Sequence, residues 1–416
     1  MTGLDRAERL FAELARISAD APGVTRASFG PVENAAHGMI VREAMDIGLE
    51  TRTDDIGNLY VTLPGRDRDA PVVMTGSHMD SVPHGGNYDG AAGVLAGLVL
   101  LERLSQGPQP PCDVTLMAIR AEEMIWFPEH YLGSRAAFGL LPKDAPDQLR
   151  RSDSGRTLAE HMREAGFDPQ PIRDGAAQLD KTRIAAFIEM HIEQGPVLVE
   201  AGCPVGIVTG IRGNIRHRHC RITGETTHAG GVPRRSRRDA VLAGVKLAGA
   251  LEALWLEVEA RGHDMVLTLG EFATDPQQHG ITKVPGELRF TIDVRSQDDA
   301  VLNVFEARLQ ALAVEIADKR RVQIDLGRYT QAASAAMSAD IRDALTEAAR
   351  TCNLPHKELP SGGGHDCATF ASLGIPSAML FIRNRNGSHN PDEHMDFSDF
   401  AAACDVLTQW ATTRLS

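Results

Sequence analysis

The chain of 416 residues contains no run near the roughly 18 uninterrupted apolar residues of a membrane span, so no spanning helix is expected. It has six cysteines (Cys112, Cys203, Cys220, Cys352, Cys367 and Cys404), scattered and without a CxxC pair. They read as small buried hydrophobes in a reducing compartment, not as a disulfide framework. An excess of positive charge is missing too, since 43 basic residues against 56 acidic ones leave a net charge of −13. Nucleic acids and anionic membranes need a concentrated positive field, so neither is an expected partner. A secretory signal is not expected, because Asp5, Arg6, Glu8, Arg9 and Glu13 break every apolar run near the N-terminus. Leu10, Phe11, Leu14 and Ile17 instead share one face of an amphipathic helix. The expected location is cytoplasmic. Neither an internal repeat nor a low-complexity segment is found.

What is present is a set of hard-to-bury side chains at the ends of apolar runs. Pro71–Thr75 leads into Gly76-Ser-His-Met-Asp80, and Val114–Ile119 leads into Glu122-Glu123. Arg183–Met190 ends at His191, and Ala378–Ile382 precedes His389. Asp89 stands at the head of the apolar helical run Gly90–Leu101. Short apolar runs of this kind read as buried parallel strands that deliver side chains to the carboxyl edge of a sheet. Several close carboxylates in a low-dielectric cleft cannot all stay ionised without a cation, so the cluster is expected to bind metal. Only nitrogen and oxygen donors are offered, which suits Zn²⁺, Mn²⁺, Co²⁺ or Ni²⁺ without selecting among them.

The length predicts more than one domain. Residues 1–211 alternate helical and strand patterns. From residue 212 the texture changes to strand Ile215–Thr223, helix Arg238–Arg261, strands Met265–Phe272 and Glu287–Val294, helix Asp298–Ala317 and strand Val322–Leu326. That order, β-α-β-β-α-β, is ferredoxin-like. Helix, strand and helix over residues 340–413 then resume the first pattern. The expectation is an α/β catalytic domain (1–211 and 328–416) with a mixed, largely parallel sheet flanked by helices, interrupted by a ferredoxin-like α+β domain (212–327).

The spacing assigns roles in outline. Asp80, two residues after His78, can reach back to the imidazole and fix its tautomer as carboxylates do for ligating histidines. Glu122 and Glu123 point in different directions at a strand end. One can bind metal while the other takes a proton from water, the division that metal-assisted hydrolysis requires. Asp89 is placed as the N-cap of its helix, and a cap and a ligand are compatible. Arg216-His-Arg-His219 reads as a solvated strand edge or the lining of a cleft.

The chain resembles the M20 metallopeptidase superfamily, in its hydantoinase/carbamoylase-type amidase branch of N-carbamoyl-L-amino-acid hydrolases, β-ureidopropionases and allantoate amidohydrolases. The likeness rests on GSHMDSVPHGGNYDG (76–90), AEE (121–123), LGSRAAFG (132–139), MHIEQGPVL (190–198), THAGGVP (227–233), DVRS (293–296), SGGGHDC (361–367) and SHNPDE (388–393). The resemblance implies two divalent ions per subunit. His78 and His191 serve one ion each or share a site, Asp89 bridges the ions, and Glu123 with His389 completes the second. Glu122 matches the general base, with Asp80 beside it. His228 matches a lid histidine that stabilises the oxyanion from a partner subunit. Arg295 matches the arginine on the substrate carboxylate, Gln194 a contact to the ureido or amide group, and Gly363 and Gly364 backbone donors to the carboxylate. The intervening domain is then a lid and a homodimerisation surface.

Two segments depart from the amidase pattern. Thr282-Lys-Val-Pro-Gly286 lacks the usual asparagine, and Met124-Ile-Trp-Phe127 replaces a stretch that usually contains glycine. Trp126 and Phe127 are expected in the core. The implied activity is hydrolysis of the linear C–N bond of an N-carbamoyl L-amino acid to amino acid, ammonia and carbon dioxide. Competing readings are an M20 dipeptidase or aminoacylase, an allantoate-type ureido hydrolase, and an inactive small-molecule binding protein.

Overall fold

The computed structural model describes residues 2–415. The chain forms two compact units, one from the stretches up to Gly210 and from Ala336 onward, the other from Ile211–Ala335. The first is a mixed α/β unit with a nine-stranded sheet. Its strands include Glu50–Thr53 (β1), Leu59–Leu63 (β2), Val72–His78 (β3), Val114–Ile119 (β4), Ile184–Ile192 (β5), Val205–Ile211 (β6) and Ser377–Ile382. They lie in the order β1-β2-β4-β3-β5, then Ser377–Ile382, then β6. β4, β3, β5 and Ser377–Ile382 are mutually parallel, whereas β1, β2 and β6 run antiparallel to their neighbours. Every residue of β4 and of Ser377–Ile382 is buried. Burial on both faces is why these strands read as unbroken apolar runs.

The helix Ala91–Ser105 lies on this parallel core, with Ala91–Glu102 all buried. Its glycines set the approach. A Cβ on Gly93 would sit 2.0 Å from the Met190 carbonyl oxygen, and one on Gly97 would sit 2.6 Å from the Leu116 side chain. Helices Gly3–Ile17 and Phe397–Arg414 join the same core through Leu10, Leu14, Phe400 and Leu407. A smaller cluster holds Phe29, Ile56, Leu132, Leu158, Trp126 and Phe127. The Met124–Phe127 departure therefore places its aromatic pair in the core, and the Trp126 indole N–H donates to the Ser81 carbonyl at 2.8 Å.

In the second unit, Gly213–Thr223, Ala240–Ala260, Val266–Thr268 with Phe272–Ala273, Glu287–Ser296, Asp299–Arg320 and Gln323–Asp325 follow one another as β-α-β-β-α-β. Strands Glu287–Ser296 and Gly213–Thr223 lie at the centre, and every pairing in this sheet is antiparallel. The unit runs on to Ala335 because Tyr329–Ala332 adds a further pairing to Gly213–Thr223. Both helices bury one side against the sheet through Leu247, Leu251, Phe305 and Leu309. The run Arg216–His219 is not at a sheet edge. It lies in the central strand, with Arg216 paired to Asp293 at 3.0 Å and His217 fully buried against Glu306 at 2.8 Å. No helix among the described residues is long and apolar enough to cross a membrane.

Candidate metal centre

The four parallel strands end at one edge of the sheet, and each brings part of a cluster. His78 is the last residue of β3, Glu122 and Glu123 follow β4, His191 lies at the end of β5, and His389 lies in the loop after Ser377–Ile382. Asp89 stands at the centre. Its Oδ1 lies 3.1 Å from His191 Nε2 and 3.5 Å from His78 Nε2, and those two nitrogens are 3.4 Å apart. Its Oδ2 lies 3.4 Å from His389 Nε2, which is 3.7 Å from Glu123 Oε1. Ligands held at 2.0–2.1 Å around a tetrahedral ion stand about 3.3 Å from one another. The three distances within His78–Asp89–His191 are close to that spacing, and the donor atoms of Asp89, Glu123 and His389 all lie within 4.8 Å of one another.

Asp89 does not cap its helix. The N-cap is Gly90, with φ +64 and no side-chain cap bond. This inserted left-handed residue turns the Asp89 carboxylate away from the helix end and into the cluster. Glycine is required there, because a Cβ would sit 2.5 Å from the His78 ring.

The imidazoles are oriented by their other nitrogens. His78 Nδ1 faces the Asp80 carbonyl at 3.1 Å and Asp80 Oδ1 at 3.3 Å, and His191 Nδ1 faces the Ile192 carbonyl at 2.9 Å. With Nδ1 carrying the proton, each Nε2 lone pair is turned to the cluster, the arrangement of ligating histidines. Asp80 is also a structural hub. It accepts the Ser28 hydroxyl at 2.6 Å and the backbone N–H groups of Glu122 and Glu123 at 3.1 Å each.

Donor chemistry and electrostatics fit a cation. Glu123 Oε1 is buried and accepts no hydrogen bond from the protein. Burial pushes Glu123 up to about 7, with the Asp89 charge adding to the rise. Burial also holds Glu122 well above the usual carboxylate range, with the Glu123 charge acting in the same direction against the lowering effect of His78. Positive charge placed among these groups relieves both strains.

Gln194, in the loop after β5, donates its side-chain amide to Asp89 Oδ2 at 2.7 Å. Its backbone is left-handed, with φ +63, and its N–H donates to Asn384 Oδ1 at 2.9 Å. A Cβ on Gly363 would sit 2.8 Å from Gln194 Oε1, and one on Gly364 would sit 2.1 Å from the Tyr131 hydroxyl. The Tyr131 ring end leaves no room for a side chain at position 364, whereas at position 363 the close atom is the tip of the flexible Gln194 side chain, which can move aside.

Residues 74–413 match the profile of peptidase family M20/M25/M40. The chain belongs to this family. An N-carbamoyl-L-amino acid amidohydrolase of Geobacillus stearothermophilus is 35% identical over 392 residues, covering 93% of each chain. An allantoate amidohydrolase of Escherichia coli (strain K12) is 34% identical over 391 residues, covering 93% of this chain and 92% of its own. Among solved structures, an amidase of the hydantoinase/carbamoylase family from Burkholderia multivorans matches with a TM-score of 0.88 at 28% identity, over 99% of this chain and 98% of that one. This M20 chain is accordingly an amidohydrolase, a hydrolase of C–N bonds from a metal-dependent family.

Two of the M20 motif residues lie in the second unit. His228 is exposed, and its Nδ1 accepts the N–H groups of Gly230 at 3.1 Å and Gly231 at 2.9 Å. Those bonds fix the tautomer that presents Nε2–H to the outside, a donor suited to a developing oxyanion. His228 pairs with Lys283 in a two-stranded ribbon, and Ala229 N–H donates to the Thr282 carbonyl at 2.8 Å. The Thr282–Lys283 departure is therefore the support of the histidine loop. Arg295 forks onto Asp293 with two contacts of 3.0 Å.

Several buried groups behind the M20 cluster were missed from the sequence. Glu393 accepts the N–H groups of Tyr88 at 2.8 Å and Asp89 at 3.2 Å, and Ser388 lies 2.5 Å from both Glu393 and Asp89. Asn384 donates to the Gly387 carbonyl at 2.6 Å, tying the Gln194 loop to the His389 loop. Glu193, the acid within the HIEQG motif, caps the helix Val197–Ala201 through the N–H groups of Val197 and Leu198. For Glu393 the signal was its place four residues after His389. Asn384 gave none.

Proposed function

We propose that this M20 enzyme hydrolyses the linear C–N bond of an N-carbamoyl L-amino acid and uses two divalent ions. The observation that carries the reading is the division of Asp89, whose two oxygens face two different triads. His78, His191 and Asp89 would hold one ion, and Asp89, Glu123 and His389 the other, with Zn²⁺, Mn²⁺, Co²⁺ or Ni²⁺ as candidates. When bound, such ions act as Lewis acids that acidify the attacking water and polarise the scissile carbonyl.

Glu122 belongs to neither of the two triads that share Asp89, although its carboxylate also groups with His78 and Glu123. Its Oε2 is 4.0 Å from His78 Nε2, near enough to serve the same reaction centre. Glu122 takes the proton of the attacking water and passes it to the leaving nitrogen. The bond between that nitrogen and the ureido carbon breaks, the amino acid leaves as the amine, and the carbamic acid formed decomposes to ammonia and carbon dioxide. Asp80 holds His78 and the Glu122 backbone in place throughout. His228 would reach a partner subunit's site to donate an N–H to the carbonyl oxygen, Gln194 would orient the ureido group, and Arg295 and the Gly363 and Gly364 backbone N–H groups are the candidate partners of the substrate carboxylate.

Support for the substrate class comes from relatives named for N-carbamoyl-L-amino acids. A second reading, an allantoate-type ureido acid, has support from relatives of nearly equal identity. The second unit would serve as lid and dimerisation module. Its helix Ala240–Ala260 leaves Leu242, Val245 and Leu256 exposed, with Phe272 exposed on a neighbouring strand, and a second copy of the chain would cover them. Six unpaired thiols suit a cytoplasmic setting. The test is ammonia release from N-carbamoyl, N-acyl, dipeptide and allantoate-type substrates after loading with each metal. Turnover of dipeptides without turnover of ureido acids would reject the proposal.

A further inference from the structure

We infer that Glu33, on the helix Pro31–Ile47, is a positioning residue that holds the backbone elbow from which Glu122 is aimed. The inference rests on the proposed role of Glu122 as the base.

The elbow is Ala121. It is buried and left-handed, with φ +53, a conformation that alanine rarely adopts. Three successive N–H groups emerge from it, and all three go to buried carboxylates. The Ala121 N–H donates to Glu33 Oε1 at 3.2 Å, and the N–H groups of Glu122 and Glu123 donate to the two oxygens of Asp80. Relaxing Ala121 to an ordinary φ would turn those groups off their acceptors. The following two side chains would turn with them.

Glu33 also fixes the residue before the elbow. Its Oε2 accepts Arg120 Nη1 at 2.9 Å and the Phe29 N–H at 2.6 Å. Arg120 is locked in turn. Its Nε donates to the Gly57 carbonyl at 2.8 Å, its Nη1 to Asn34 at 2.7 Å, and its backbone N–H to Asn58 at 3.0 Å. Ser28, six residues before Asn34, holds Asp80 from the same segment. Residues 28–34 thus grip both carboxylates that shape the elbow. A buried ion pair is a poor way to gain stability, because apolar residues of similar size usually serve as well or better. Here one Glu33 oxygen accepts the elbow's own N–H and the other holds the side chain of the residue before it, which points to positioning.

The experiment compares Glu33→Gln, Glu122→Gln, Ala121→Gly and the double variant Glu33→Gln/Ala121→Gly in the metal-loaded enzyme. Glutamine keeps the shape of Glu33 but turns an NH₂ group toward other donors. For Glu33→Gln, kcat is expected to fall about 10- to 100-fold with KM nearly unchanged. In metal-free protein, amide exchange of the peptide around residues 119–124 is expected to rise while β3 and β5 stay protected. Glycine accepts a left-handed φ freely, so Ala121→Gly is expected to restore much of the lost kcat without restoring the melting temperature. Wild-type kcat and exchange in Glu33→Gln, beside an inactive Glu122→Gln, overturn the positioning role alone. A loss of kcat that follows the melting temperature and is not rescued by glycine also overturns it. An active Glu122→Gln would overturn the reading of the base instead, and this inference with it. Should Glu33→Gln not fold, Glu33→Asp keeps the charge near Arg120 but draws back from the Ala121 N–H, and wild-type kcat in that variant rejects the inference.

Discussion

The Nε2 atoms of His78 and His191 face one another at 3.4 Å, with the rings tilted by 29°. Both rings turn Nδ1 toward backbone carbonyls, which brings the two Nε2 atoms together beside Asp89 Oδ1, where His191 Nε2 also accepts the Gly90 N–H at 3.2 Å. Two imidazole nitrogens and a carboxylate oxygen at this spacing suit a cation. Chelation is therefore expected to abolish activity, and Zn²⁺, Mn²⁺, Co²⁺ or Ni²⁺ to restore it. Metal should also raise the melting temperature, since a ligand at 100 times its Kd stabilises the native state by about 2.7 kcal/mol. His191→Ala is expected to lose most of that shift. Full activity in exhaustively chelated protein would contradict the metal centre.

Glu122→Gln separates proton transfer from metal binding. The amide keeps the shape of the side chain and removes its basicity. Turnover is expected to fall by roughly 10²- to 10⁴-fold with metal stoichiometry unchanged by elemental analysis. Loss of metal would instead mean that Glu122 and Glu123 exchange roles.

The parallel core could be read from sequence because strands buried on both faces leave unbroken apolar runs, and the residues after them must gather at one edge. His78, Glu122, Glu123, His191 and His389 were legible for that reason. Asp89 was only half legible. A carboxylate before an apolar helix looks like a cap, and nothing in the residue pattern announces the left-handed Gly90 that frees it. Glu33 and Arg120 lie 87 positions apart and Asp89 and Glu393 304 apart, each pairing made by the tertiary fold alone. The order of the second unit was legible from its alternating periods. Its strand Tyr329–Ala332 was not, because it is polar and mostly exposed.

His37 predicts a pH dependence of stability. It is buried, and neither ring nitrogen has a hydrogen-bond partner in the protein. Burial, and then the nearby Arg120 charge, hold its pKa well below 6.5. The unfolded chain takes up a proton as pH falls through about 6.5 and the native state does not, so this group lowers stability below that pH and not above it. The loss approaches about 1.4 kcal/mol for each pH unit until the native pKa is reached. His37→Leu is expected to gain stability over wild type between pH 7.5 and pH 5 in denaturant titrations. An unchanged difference between the two pH values would show that His37 does not titrate on unfolding.

Arg295 bears most directly on the substrate. Its guanidinium forks onto Asp293, two residues earlier on the same strand, and Asp293 also receives Arg216 at 3.0 Å. Two cations share one carboxylate, so engaging a substrate carboxylate need not leave Asp293 unpaired. Lysine at position 295 keeps the charge and loses the planar fork. If the fork serves the substrate, Arg295→Lys raises KM for an N-carbamoyl amino acid at least about tenfold, the loss of one charge-assisted hydrogen bond. The melting temperature should move little, because the exposed side of such a pair contributes little to stability. Comparing each free acid with its amide sharpens the test. Wild type should favour the acid strongly, and the variant should lose most of that preference. Equal turnover of acid and amide by the wild-type enzyme would mean that Arg295 belongs to Asp293 alone, and that the substrate carries no recognised carboxylate.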